Sequence, residues 1–226
     1  ISTPFGGGGV RALALDPDGR YLYAGGAGLV YVIDLQPGSP NFHKVSHVIG
    51  GLDTPTERIN SLAVDADGKR LYIAAPASQL FAGTKSWVSG GRDRGKIIVV
   101  NVDEADRPAP DAPNTRKWRQ KIGELPGGLE PFEIRATSEA DRLLFTSRLD
   151  VNKGLHTIKV ENNSPLAFAA TVGTIDLGTL NEKPNQLFDL SIRNASSVVL
   201  GPGNKYAFVG DWNVPLSVGS NDPTAA

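Results

Sequence analysis

Apolar residues in this chain come in short runs separated by turn-forming residues, and the same order of pieces returns four times. After Val10 the chain reads RALALDPDGRYLYAGG and then GLVYVIDL. From Ile59 it reads INSLAVDADGKRLYIAAP and later GKIIVVNV. From Pro131 it reads PFEIRATSEADRLLFTSR and then GLHTIKV, and from Ala195 ASSVVLGPGNKYAFVGDW, after which the pattern stops. Each unit predicts a short apolar strand, a tight turn, a second strand mixing aromatic and aliphatic residues, a gap and a third strand.

The turns follow from their residues. Asp16-Pro17-Asp18-Gly19 and Asp65-Ala66-Asp67-Gly68 place Pro, Asp and Gly where a reversal needs a fixed φ, local side-chain hydrogen bonds and a positive φ. Apolar runs on both sides make them hairpins. The third and fourth copies weaken to Ser138-Glu139-Ala140-Asp141 and Gly201-Pro202-Gly203-Asn204. Residues 12–15 and 62–64 are unbroken apolar runs, which predicts strands buried on both faces. Helical periodicity is nearly absent. One turn of helix is expected at 103–106, ended by Pro108.

These units resemble the YVTN repeat. The matching residues are Pro17-Asp18-Gly19-Arg20-Tyr21-Leu22-Tyr23 with Val30-Tyr31-Val32-Ile33-Asp34. In the second copy they are Asp67-Gly68-Lys69-Arg70-Leu71-Tyr72-Ile73 with Ile97-Ile98-Val99-Val100-Asn101. The resemblance implies an all-β fold, a β-propeller, in which each unit is a four-stranded blade and a ring closes with roughly four to eight of them. It also implies company that includes cell-surface proteins, lactonase-like hydrolases and quinone-dependent dehydrogenases, so it is specific for fold and poor for function.

On that pattern the whole chain, 1–226, is a partial propeller. Blade one spans about 10–50, with its outer strand at 42–49, and blade two about 59–125, with its outer strand near 118–122. Blade three spans about 131–177, and blade four begins at about 195–212. About three and a half blades would leave two raw sheet edges. The expectation is therefore a larger, seven-bladed ring whose remainder is a second polypeptide or a further segment. The competing expectation is a four-bladed ring with a ragged last blade.

Composition narrows the class. A net charge of −1 argues against a nucleic-acid surface, which needs clustered cations. No apolar run approaches the ~18–20 residues of a membrane span. Cysteine is absent, which removes disulfides and thiolate metal sites. The chain has no Met and opens on Ile1, as expected of a processed protein or an internal piece of a longer one.

In a blade, the loop entering the first strand and the loop between the second and third strands open on one face. The insertion 76–94 lies on that face and carries Phe81, Trp87, Arg92 and Arg94, a composition suited to a carbohydrate or protein ligand. Glu57 and Arg58 enter blade two there, and Glu130, Phe132 and Glu133 enter blade three. The insertion 103–116 on the opposite face, rich in Pro, Ala and Asp, reads as spacer. The segment 173–194 is a third insertion.

Other candidates are weaker. His43 and His47, on a strand, would stand about 13 Å apart, too far for one ion. They and His156 read as structural. Asp16 with Asp18, and Asp65 with Asp67, resemble the opening of a calcium loop but lack its later ligands, so they read as turns first, with a weak calcium site as the lesser alternative. Gly6–Gly9 lack the Lys-Ser/Thr of a phosphate loop, and no Gly-x-Ser-x-Gly occurs. The expected function is a non-enzymatic binding or scaffold module of a larger surface or secreted protein, without cofactor, at an extracellular, periplasmic or cell-surface location. The alternative is a lactonase-like hydrolase or quinone-dependent dehydrogenase whose centre is completed by other blades. An intracellular hub of the Trp-Asp repeat type ranks lowest, because that dipeptide is missing from the third strands.

Overall fold

The tight turns close hairpins as their residues dictate. In the first copy Asp16 Oδ1 accepts the Tyr21 N–H at 2.8 Å while Gly19 takes φ +69°. In the second, Asp65 Oδ1 accepts the Lys69 and Arg70 N–H groups at 2.7 and 2.9 Å, and Gly68 takes φ +71°. An Asp at the turn's entry thus satisfies donors that the tight reversal leaves over.

The computed structural model describes residues 9–54, 58–76, 95–128, 130–148, 154–175 and 195–211. Blade one is β1 (Ala12–Leu15), β2 (Tyr21–Gly26), β3 (Leu29–Asp34) and β4 (Val45–Ile49). Blade two is β5 (Ser61–Val64), β6 (Arg70–Ala75), β7 (Lys96–Asn101) and β8 (Lys121–Pro126). Blade three is β9 (Pro131–Ala136), β10 (Arg142–Ser147), β11 (Leu155–Asn162) and β12 (Ala169–Ile175). Each is a four-stranded antiparallel sheet in chain order, and β13 (Ala195–Leu200) with β14 (Ala207–Asp211) begins a fourth. The first strands β1, β5, β9 and β13 pack in succession and mark the inner edge of the ring. Among the described residues no helix is long and apolar enough to cross a membrane.

Blade two is the middle of the stack, and its alternation shows it. Leu71, Ile73, Ile98 and Val100 pack toward blade one with Tyr23, Val30, Val32 and Ile49. Their neighbours Tyr72, Ile97 and Val99 point the other way, into a cluster with Ile134, Leu143, Phe145 and Ile158 of blade three. With successive side chains on opposite faces, a blade covered on both sides is apolar through the middle of its strands, while the buried Arg70 and Asn101 at the strand ends bond each other. That accounts for the unbroken runs of β6 and β7. Each such large side chain contributes about 1.5–3 kcal/mol on burial.

Three expectations need correction. The run 12–15 is not buried on both faces: Leu13 and Leu15 are 58% and 55% exposed, because no blade among the described residues covers that flank. The outer strand of blade one starts at Val45, not at 42. His43 sits ahead of it with φ 59° and its ring stacks on Phe42, so the strand spacing of the two histidines does not apply. The outer strand of blade two starts at Lys121, three residues later than its aromatic Trp118 suggested. The expected helical turn is present as a 3-10 turn over Glu104–Asp106, capped by Asp103, whose carboxylate accepts the Ala105 N–H.

Candidate functional site

The chain enters each inner strand at the same end of the ring. Arg11 precedes β1, Arg58 stands shortly before β5, and Glu130 directly precedes β9. Arg148 follows the last residue of β10 and reaches the same end. These residues form the mouth of the ring.

Glu130 is its fixed point. The side chain is buried, and Arg148 donates to it through Nε and Nη2, at 3.2 Å to Oε2 and 3.0 Å to Oε1. The backbone repeats the link: Arg148 N–H donates to the Glu130 carbonyl at 2.9 Å, and Ser147 Oγ accepts the Glu130 N–H at 3.0 Å. The Arg148 guanidinium lies 4.7 Å from the Phe132 ring centre, a cation–π contact. Asn60 Nδ2 donates to the Pro131 carbonyl at 2.9 Å, tying the entry of blade two to that of blade three. Burial pushes the Glu130 carboxyl above its ordinary value, against the pull of Arg148 and Arg58.

Arg58 stands beside this pair. Burial and then the charge of Arg11 lower its pKa, with Glu130 opposing and Arg148 adding to the fall. Its buried Nε has no acceptor among the described residues. The rest of the half-buried Arg58 side chain leaves the mouth cationic, while the Glu130 carboxylate is committed to Arg148.

Of the residues singled out from sequence, the structure brings Arg58, Glu130 and Phe132 together. Glu133 lies elsewhere: it pairs with Arg135 and accepts the Val198 N–H at 3.1 Å, joining blade three to blade four. Glu57, Phe81, Trp87, Arg92 and Arg94 lie outside the described residues. Arg148 and Arg11 were not singled out. The signal for Arg148 was its place one residue beyond a second strand, which puts it on the mouth face.

His156 is buried and stacks on Phe145 at 4.7 Å, with Nδ1 3.2 Å from Thr174 Oγ1. In the Asp turns a cation already faces each outer carboxylate, Arg20 to Asp18 and Lys69 to Asp67, both at 2.9 Å. Among the described residues no three His, Asp or Glu are grouped to hold a metal. The insertion 103–116 is not plain spacer. Its Arg107, with Trp118 and Arg119 after it, lines an open cavity of about 400 Å3 against Tyr21, Asp34 and His47 of blade one, on the opposite face.

No known protein family matches the sequence, and no curated protein does either. The fold has many solved counterparts. A candidate 6-phosphogluconolactonase from Bacteroides uniformis matches 93% of this chain and 51% of its own, at 16% identity and a TM-score of 0.58. Sqt1 from Chaetomium thermophilum matches 90% of this chain and 42% of its own, at 13% identity and a TM-score of 0.55. The Cps50 (Swd1) β-propeller domain of Myceliophteria thermophila matches 93% and 53%, at 12% identity and a TM-score of 0.54. The chain spans about half the length of these proteins. At such identities the likeness shows the fold alone: this chain is part of a β-propeller.

Proposed function

We propose that this chain is a non-enzymatic binding and scaffold module of a larger surface or secreted protein, recognising its ligand through the loops at the mouth of the ring. The state of Glu130 carries this conclusion. Both of its oxygens accept from Arg148, whose own position is fixed by a backbone hydrogen bond to the same residue. A general base needs a lone pair aimed at the proton it removes; this carboxylate instead holds a loop in place. Arg58 beside it favours acceptor-rich groups, such as the carboxylates of a protein or glycan. Resemblance to surface-layer repeats supports a place outside the cell, in the periplasm or on the cell surface. No cofactor is assigned to the module. The exposed Leu13 and Leu15 on one flank and Val199 and Phe208 on the other support further blades as its partners, from the remainder of the same propeller.

A second function has one observation in its favour, the likeness to a candidate 6-phosphogluconolactonase. In that case the chain belongs to a lactonase-like hydrolase whose centre is completed by the other blades. The quinone-dependent dehydrogenases are the other enzyme class that the repeat resemblance suggests. Native and denaturing mass spectrometry of the protein isolated from its source, followed by a 6-phosphogluconolactone hydrolysis assay on that assembly, separates the two. The expected result is an assembly heavier than 23.9 kDa with no hydrolysis above the spontaneous rate. Hydrolysis that Glu130→Gln abolishes would overturn the binding function in favour of the enzyme.

A further inference from the structure

A second interaction surface lies on the outer rim of the ring, independent of the function proposed at the mouth. The fourth strand of each blade, β4, β8 or β12, ends its sheet, and among the described residues no further strand pairs with any of them. Every second residue of such a strand turns its N–H and C=O outward, which makes the edge a template for another strand.

The three edges are not alike. β8 carries Lys121 and Glu124, paired at 2.9 Å, and ends at Pro126. Charges and proline are the devices that keep a strand edge from pairing. β4 has five residues, and its register with β3 slips between Val32 and Ile33. β12 is seven residues long, Ala-Ala-Thr-Val-Gly-Thr-Ile, with no charge and no proline. From Ala170 to Ile175 it pairs with β11 without a break.

β12 is anchored on one face and open on the other. Ala170 and Val172 pack into the cluster that blades two and three share, and Thr174 Oγ1 lies 3.2 Å from His156 Nδ1. Ala169, Thr171, Gly173 and Ile175 are exposed. The strand is thus held in its extended form before any partner arrives, which removes most of the ordering cost of pairing.

Residue order decides which partner fits. A strand that meets a second copy of itself antiparallel lies on a two-fold axis. Outward-facing groups recur at every second residue, so the axis must pass through a residue, and only Val172 lets the whole of β12 pair. Val172 then stands opposite its own copy, Thr171 opposite the second copy's Gly173, and Ala169 opposite the second copy's Ile175. A large side chain faces a small one on each side of the axis. No charge is brought against its like, the arrangement that destabilises cross-strand pairs.

We propose that β12 joins two copies of this chain edge to edge, antiparallel about Val172, so that blade three of each becomes half of one continuous sheet. The contact comprises about six to eight backbone hydrogen bonds. It is small for a protein interface, and a Kd of roughly 10–100 μM is expected. The test is sedimentation velocity of the intact chain from roughly 5 to 500 μM, with two double variants at exposed positions. Ala169→Lys with Ile175→Lys sets like charges directly opposite each other and is expected to weaken the dimer about tenfold or more. Ala169→Lys with Ile175→Glu sets opposite charges there and is expected to keep the dimer, with the same circular dichroism in all cases. A wild-type chain that stays monomeric throughout that range, or two variants that dimerise alike or dissociate alike, would overturn the proposal.

Discussion

Arg148 holds Glu130 by three hydrogen bonds, two from its guanidinium at 3.2 and 3.0 Å and one from its backbone N–H at 2.9 Å. The carboxylate is 1% exposed and the Arg148 side chain 11%, so solvent screens the pair little. Removing Arg148 takes both guanidinium hydrogen bonds from the buried Glu130 carboxylate. Arg148→Ala is expected to cost about 3–5 kcal/mol in urea unfolding, and Arg148→Met with Glu130→Gln distinctly less than Arg148→Ala alone. A single-variant loss under ~1 kcal/mol, the range of exposed ion pairs, would show that the pair does not organise the mouth.

Asp65 makes stability depend on pH. Burial pushes its carboxyl up to about 7, and the neighbouring Asp67 adds to the rise. An unfolded-chain Asp titrates near ~3.9. Between those values the folded protein keeps a proton that the unfolded chain has released. Stability from this group is thus complete below about pH 4 and is lost as pH rises through about 7, an effect on the order of a few kcal/mol. Glu130, raised by burial, adds a slope of the same sign. Asp65→Asn keeps an acceptor for the Lys69 and Arg70 N–H groups, so the variant should show a flatter profile between pH 5 and 8. An unchanged profile would place the titration elsewhere.

Pro131 of blade three closes on blade two at Gly95. A Cβ there would stand 2.1 Å from Pro131 Cδ and 3.2 Å from the Ala75 carbonyl oxygen, neither of which can swing aside. At Gly25, between blades one and two, the nearest atom is Ile59 Cγ2 at 2.9 Å, on a side chain that can turn. Gly95→Ala should therefore cost about 1–3 kcal/mol or more and Gly25→Ala less, as compared by chemical denaturation. The reverse order would contradict the seam geometry.

The flanks of the stack predict a separation of folding from assembly. Leu13 and Phe208 are 58% and 64% exposed, so Leu13→Glu and Phe208→Glu should change this chain's own stability by no more than about 0.5 kcal/mol. Both should nevertheless block association with the remaining blades, read by native mass spectrometry. A large drop in the melting temperature of the isolated chain would mean that these side chains are covered within it.

Much of the fold was legible because its determinants are local. Asp16 and Asp65 close their turns with donors four or five residues away, and the runs 71–75 of β6 and 97–100 of β7 announce burial by being unbroken and apolar. The run of β1 looks the same, but burial is set by a neighbouring sheet, not by the strand, and Leu13 has none. At the mouth, Glu130 and Arg58 could be placed by their positions ahead of inner strands. The Glu130–Arg148 pair could not, since it depends on where β10 ends. The insertion after β7 hid its content for a related reason: part of the cover of Arg119 comes from Tyr21 of blade one. A stretch of Pro, Ala and Asp gives no sign of such a partner.

The double-sided burial of blade two also constrains how the polypeptide is made. As the chain emerges from the ribosome, β5 to β8 can form once residue 126 is out, but Tyr72, Ile97 and Val99 then still face water. Their cover, Ile134, Leu143, Phe145 and Ile158, arrives only with the next blade. A nascent chain paused in that interval presents a bare apolar sheet, the kind of surface that chaperones bind and aggregates grow from. The smallest piece able to leave the ribosome without such help is therefore more than two blades long.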